Sequence, residues 1–186
     1  PSTFVVGAAK AATPWLYTCL DDHPDALVPQ VGEVDFFSKY YHRDFRWYTS
    51  QFRDYEGQHA VVDVSPTYLI DPGAPERIRD FDSEVKLIFC LRNPIERAYS
   101  HYCMHLRGGV ASEDIDTELN PSRRYLQEGL YHSHIKRFDR YFNDENMLFL
   151  VHDDLREDAS DYIRRVYSFL HIDSSFLTTL LREKSH

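Results

Sequence analysis

Four polar side chains at the ends of apolar segments define the chemistry open to this sequence. Lys10 and Thr13 stand in a loop of small residues, Ala8, Ala9, Ala11 and Ala12, after the β-branched run at residues 3–6 and Gly7. Pro14 and Trp15 follow, and Leu16, Cys19, Leu20 and His23 continue at helical spacing. The run reads as a buried strand, a tight loop, and a helix with Thr13 as N-cap and Pro14 as first residue. Such a junction aims backbone N–H groups and the positive end of a helix dipole at one point, where a phosphate or sulfate fits. Lys10 adds a mobile cation and Thr13 a hydroxyl. The same residues also suit an ordinary strand-to-helix turn. The loop is not a Walker A motif, because its lysine comes early and no glycine precedes it in the right place.

The second pair is Arg92 and Ser100. Arg92 leaves the apolar run at residues 85–91 just as Asn93 and Pro94 open a helix. Ser100 is eight positions on, about two helical turns, so both can face something lying beside the helix. The planar fork of arginine suits a phosphate. Taken alone, the pair reads equally as a salt-bridged surface arginine and a solvated serine.

The elements that must position these residues alternate between strand and helix. Strands are expected at residues 3–6, 60–64, 85–91 and 147–151, with a short one at 26–29. Helices are expected from Pro14, over residues 75–81, from Pro94 to Gly108 and over residues 126–142 and 154–170. Ile95, Ala98, Tyr99, Tyr102 and Leu106 form the expected apolar stripe of the third. Leu130, Ile135, Phe138 and Phe142 are the expected core positions of the fourth. Residues 31–48 read as an aromatic-rich connection and residues 111–124 as irregular and exposed. This order implies an α/β fold, a central parallel sheet flanked by helices in three layers. Ligands then bind beyond the carboxyl ends of the strands, where the loops after Gly7, Val64, Leu91 and Val151 meet.

Composition narrows the function classes. The 186 residues suffice for one domain with a substantial core. A net charge of −9 argues against a broad nucleic-acid surface but leaves room for a local basic pocket. Cys19, Cys90 and Cys103 lack metal spacing and fall on apolar positions, so they read as core thiols in a reducing compartment. No run is long enough to span a membrane and no signal peptide is visible.

In the order of the chain, these segments resemble the PAPS-dependent sulfotransferases (PAPS is 3′-phosphoadenosine 5′-phosphosulfate, and PAP its desulfated product). FVVGAAKAATPWLYTCLDDHP is similar to their 5′-phosphosulfate loop and LIFCLRNPIERAYSHYCMHLRGG to their 3′-phosphate segment. Arg92, Pro94, Glu96, Arg97 and Ser100 match R-x-P-x-E-R-x-x-S. GEVDFF resembles the E-V-H-F-F segment of the heparan sulfate and carbohydrate branch, and DVSPTYL its E-K-T-P-x-Y. GLYHSHIKRFDRYF and HDDLREDASDYIRRVYSFL resemble the segments that follow. The resemblance runs over almost the whole chain and suggests a bacterial member.

The resemblance implies a P-loop-like fold and roles for particular residues. Lys10 is implied to sit on the oxygen bridging phosphorus and sulfur. Thr13, with the backbone of Ala11, Ala12 and Thr13, and with Pro14 and Trp15 beside them, is implied to hold the 5′-phosphate. Arg92 and Ser100 are implied to hold the 3′-phosphate. Glu33 matches the carboxylate base, and no metal is required. Asp35 stands where the branch has His and is an alternative base. Asp63 replaces a Glu and is an alternative proton acceptor or a partner of Lys10. Tyr68, Trp47 and His132 are expected near the acceptor, although aromatics and histidines at such positions also serve packing.

Three departures qualify the resemblance. Ala12 replaces a glycine, and its methyl is expected to crowd the phosphate or redirect the backbone. Val64 replaces a lysine near the acceptor, which argues against acidic-polysaccharide specificity. The chain ends at His186, so residues 1–186 are expected to form a sulfotransferase domain without the family's cofactor-closing segment. The leading expectation is sulfuryl transfer from PAPS to a hydroxyl or amine of a carbohydrate or small metabolite. The alternatives are a PAP-binding module without turnover and, behind it, a P-loop nucleotide kinase. A bacterial cytoplasmic setting is expected, or the Golgi lumen for a eukaryotic chain. Oligomeric state is not legible.

Overall fold

The apolar run that opens the chain becomes the middle strand of a five-stranded parallel sheet. The computed structural model describes residues 1–121 and 123–182. Ser122 and residues 183–186, with the expected domain end at His186, lie outside the described residues. β1 (Thr3–Gly7) is buried along its whole length. It pairs in parallel with β3 (Ala60–Val64) on one side and β4 (Lys86–Leu91) on the other. β2 (Ala26–Leu27) and β5 (Met147–Val151) complete the order β2-β3-β1-β4-β5. Such strands are apolar on both faces because helices cover both. Their carboxyl ends therefore point the same way, and the loops after β1, β3 and β4 are neighbours.

The helices follow the expected order with local differences. α1 spans Thr13–Asp21, with Ala12 rather than Thr13 at the N-cap position. α3 spans Ala74–Phe81, and α4 spans Pro94–Arg107, where the Asn93 side chain accepts from the N–H groups of Ile95 and Glu96. The aromatic-rich connection carries a short helix at its end, α2 (Phe45–Ser50). The expected irregular segment contains α5 (Ile115–Glu118).

Two expected helices are each broken in two. Residues 126–142 divide into α6 (Arg124–Gln127) and α7 (Tyr131–Phe138), with Gly129 between them and Leu130 exposed. Residues 154–170 divide into α8 (His152–Glu157) and α9 (Ala159–Leu170). Asp158 makes that break, because its carboxylate caps the Ser160 and Asp161 N–H groups at 2.9 Å. α10 (Thr179–Arg182) ends the described chain. The buried face of α4 also differs from the expected stripe. Ile95 and Tyr99 face solvent, whereas Arg97, Ala98, His101 and Tyr102 are buried.

An aromatic cluster anchors the connection between β2 and β3 to the sheet. Phe36 stacks on Tyr48 at 4.6 Å, and Phe37 meets Phe4 and Tyr68 edge-on at 5.5 and 5.8 Å. Beneath it lies Asp63, with no exposed surface. Its carboxylate accepts hydrogen bonds from Ser65 Oγ at 2.5 Å, Tyr68 at 2.8 Å and Tyr48 at 3.0 Å. Burial pushes this carboxyl up to about 6, against the three hydroxyl donors, which favour its ionised form.

That shift has a defined sign. The folded protein holds the Asp63 proton more tightly than the unfolded chain does. The resulting stabilisation is full below the ordinary aspartate range and is lost as pH rises through about 6. In urea unfolding, the stability of the parent minus that of Asp63→Asn should fall by about 2 kcal/mol between pH 4.5 and 7. A difference that grows with pH would contradict this assignment.

Candidate active site

The loop after β1 is shaped by backbone conformations that most residues avoid. Gly7 has φ 144° and lies so close to the 3₁₀ turn Pro66–Leu69 that a Cβ there would meet Leu69 Cβ and the Pro66 carbonyl at 2.8 Å. Only glycine fits this approach without displacement. Lys10 and Ala12 are both left-handed, with φ 69° and 67°. The Ala8 N–H donates to the Cys90 carbonyl at 2.6 Å, tying the loop to β4. Ala12 has no polar side chain to cap α1. The first N–H groups of this nine-residue helix are therefore left to an external acceptor. Left-handed residues alternating with right-handed ones form the concave N–H nests that hold anions. On this ground the loop fits a phosphate or sulfate.

Arg92 reaches the same loop from β4. Its guanidinium pairs with Glu96 at 3.0 Å and lies 3.5 Å from the Lys10 carbonyl. Tyr131 donates to the Arg92 carbonyl at 3.0 Å, which fixes the start of α4. Ser100 stands farther along the same helix, half-buried. The structure therefore brings Arg92 beside the loop of Lys10.

Glu33 approaches from the connection after β2. The residues after it, Val34, Asp35, Phe36 and Phe37, are all buried in the aromatic cluster, whereas Glu33 itself reaches solvent. Crowding by protein atoms, and then the negative charges of Asp35 and Asp63, hold its carboxyl above the ordinary range, with Lys39 opposing. Asp35 has both carboxylate oxygens occupied. It accepts from Thr67 Oγ1 at 2.5 Å and from Lys39 Nζ at 2.6 Å, and its N–H donates to Ser65 Oγ at 2.9 Å. Ser65 in turn donates to Asp63. A hydrogen-bond chain thus runs from buried Asp63 through Ser65 to the backbone just beyond Glu33.

Two clefts meet at Thr13, Pro14 and Glu33. The first, about 300 Å³, is lined also by Ala8, Ala9, Lys10, Lys39, Thr67, Met104 and the polar face of α4 and α6. On that face buried Arg97 and His101 hold Glu128 Oε2 at 3.2 and 3.0 Å, and Arg124 holds Oε1 at 3.1 Å. Burial pushes Glu128 up, but His101, Arg124 and Arg97 outweigh it and keep the carboxyl below its ordinary range. Lys10 Nζ lies 3.6 Å from Met104 Sδ at the cleft wall. The second cleft, about 280 Å³, adds Tyr17, Thr18, Gly32 and Val64.

The remaining sequence candidates lie elsewhere. Ala11 is fully buried, and Ala12 is half-buried beside the loop N–H groups. Trp15 packs edge-on against Tyr162 at 5.9 Å. Asp63 and Tyr68 are sealed in the core and bonded to each other, so neither presents a surface to an acceptor. Trp47 lies beneath the Arg43 guanidinium at 4.5 Å, and exposed His132 borders a separate shallow depression with Leu130 and Ser133. Sequence reading did not single out Lys39, Thr67, His101, His105, Arg124 or Glu128 as site residues. The spacing of Arg97, His101 and His105, four positions apart on one helical face, is the signal the sequence offers for this wall.

Known proteins similar to this chain bear on its family and fold. The family model described as "Sulfotransferase domain" matches residues 1–184. The chain is 34% identical over 181 residues to heparan sulfate glucosamine 3-O-sulfotransferase 3A1 of Mus musculus, covering 91% of this chain and 45% of that protein. It is 32% identical over 186 residues to heparan sulfate glucosamine 3-O-sulfotransferase 6 of Homo sapiens, covering 91% and 52%. The chain thus spans about half the length of these curated relatives. A crystal structure of a sulfotransferase from Alicyclobacillus acidocaldarius superposes with a TM-score of 0.89 at 27% identity, covering 100% of this chain and 89% of that one.

The left-handed alanine gives a test of the loop geometry. A non-glycine residue in this conformation costs roughly 1–2 kcal/mol. Glycine relieves that strain but loses roughly 0.5–1 kcal/mol through its greater freedom when unfolded. Ala12→Gly should therefore leave stability unchanged or raise it by up to about 1.5 kcal/mol in urea unfolding. A loss of more than about 1 kcal/mol would mean that residue 12 is not left-handed in the folded protein.

Proposed function

The chain belongs to the sulfotransferase domain family, and from that premise we propose that it transfers a sulfuryl group from PAPS to the hydroxyl of a carbohydrate or small metabolite. The observation that carries this reading is the convergence at the carboxyl ends of the strands of an uncapped, nest-shaped loop with Lys10, the Arg92 guanidinium beside it, and a carboxylate at Glu33 lining the same cleft as Thr13. PAPS supplies an activated sulfuryl group already joined to a good leaving group.

The residues divide the remaining work. The N–H groups of Ala12 and Thr13, and the Thr13 hydroxyl, hold the 5′-phosphate. Arg92 and Ser100 take the 3′-phosphate, with Arg92 exchanging its contact to exposed Glu96 for the ligand. Lys10 stabilises negative charge growing on the departing oxygen. Glu33 takes the proton of the acceptor hydroxyl as that oxygen bonds to sulfur and the bond from sulfur to the phosphate oxygen breaks, leaving PAP. A carboxyl held above its ordinary range by crowding is a stronger base than a solvated one. Asp35 is the less suitable base, because Thr67 and Lys39 occupy it. Residues 1–186 are read as one such catalytic domain. The buried thiols of Cys19 and Cys90 suit a reducing, cytoplasmic setting.

Transfer and binding separate under mutation. With PAPS and a panel of hydroxyl acceptors, Glu33→Gln should lower kcat by at least about 100-fold while the Kd for PAP stays within about twofold. Lys10→Ala should also lower kcat far more than it weakens PAP. If Glu33→Gln retained full turnover, the base would be another group. If the parent bound PAP but transferred to no acceptor, the chain would be a binding module.

A further inference from the structure

The second cleft has a chemistry that the first lacks. We infer that it seats the apolar body of an uncharged acceptor and turns the acceptor hydroxyl toward Glu33. This inference rests on the proposed transfer reaction and names its substrate class. Among its lining residues Glu33 is the one charged group, and there is no cation. Beyond Thr13, which faces the junction with the first cleft, the hydroxyls of its α1 wall are already satisfied within the chain. Tyr17 donates its hydroxyl to the Pro29 carbonyl at 2.9 Å, and Thr18 to the Pro14 carbonyl at 3.1 Å. With those hydroxyls engaged, Tyr17, Pro14, Thr18 and Val64 leave the cleft a largely apolar wall.

Charge decides what can enter. An acceptor bearing sulfate or carboxylate would lose water beside the Glu33 carboxylate with no cation among the residues that line this cleft, and both effects oppose binding. The cations Lys10, Lys39, Arg97 and Arg124 all line the first cleft. An uncharged ring or short chain meets no such cost, and burying it against Tyr17, Pro14 and Val64 is favourable. The volume of about 280 Å³ suits a small ring system. Glu33 lies at the junction of the two clefts, so a hydroxyl entering from the second is brought to the base and to the Lys10 loop together.

The test uses two acceptors of one shape, 2-naphthol and 6-hydroxynaphthalene-2-sulfonate, with PAPS and the parent protein. The expected result is a kcat/KM at least tenfold higher for 2-naphthol. Thr18→Trp, which fills the cleft from an exposed helix position, should lower that kcat/KM at least tenfold and leave the PAP Kd within twofold. Equal or better use of the sulfonate would overturn the inference, as would a Thr18→Trp variant as active on 2-naphthol as the parent. Transfer to a glycan hydroxyl without transfer to 2-naphthol would overturn the inference alone. Absence of PAP binding and of transfer to any acceptor would overturn the broader reaction with it.

Discussion

The exit of the middle strand is the constraint on which the rest of this structure depends. Gly7 presses its backbone against the turn after β3, and the next peptide is bonded to β4. The chain must therefore turn sharply in the narrow gap between two neighbouring strand ends. It does so through left-handed residues at positions 10 and 12, and this turn leaves the start of α1 without a cap. A strained loop and an uncapped helix are local costs to stability. They persist because the strands on either side determine the path, and they leave a nest of donors where an anion is useful.

The groups facing that nest are held by scaffolding of two kinds. The α4 wall is polar, with buried Arg97 and His101, and exposed Arg124 from α6, converging on Glu128. Removing one member of such a network leaves its partners uncompensated, so the wall is fixed rather than adaptable. The Glu33 loop is held by apolar means, through Phe36 and Phe37 in the aromatic cluster, and by the chain from Asp63 through Ser65. Ionising Asp63 inside the core opposes folding, yet its three hydroxyl partners make it a firm anchor. An exposed carboxylate on a loop thereby gains a fixed position, as the proposed general-base role of Glu33 requires.

Local signals carried most of the fold into the sequence. The strand, small-residue loop and Pro14 are contiguous, and so are Asn93 and Pro94, so both junctions could be read from neighbouring residues alone. The parallel order followed from alternation of strand and helix. What the sequence concealed depends on tertiary context. The residues next to Ala12 do not signal a left-handed alanine; the one hint is the glycine that the resembling family carries at this position. The break at Asp158 is visible only once its carboxylate is seen capping the next turn. The α4 face was misread because Ile95 and Tyr99 look like core, whereas Arg97 is buried by Glu128 and Tyr125, thirty-one and twenty-eight positions away. Asp63 and Tyr68 were read as near the acceptor, yet they serve as internal anchors. Glu33 was legible through family resemblance rather than through its own surroundings.

The central claim is that the Lys10 loop and the start of α4 form one site for a nucleotide phosphorylated at both its 5′ and 3′ positions. Calorimetric titration of the protein with PAP, and separately with adenosine 5′-monophosphate, tests it most directly. The two ligands differ only in the 3′-phosphate assigned to Arg92 and Ser100. A charge-assisted contact of roughly 1.5–3 kcal/mol predicts PAP binding about 10- to 150-fold tighter. Equal affinity for the two nucleotides, or none for PAP, would contradict the account.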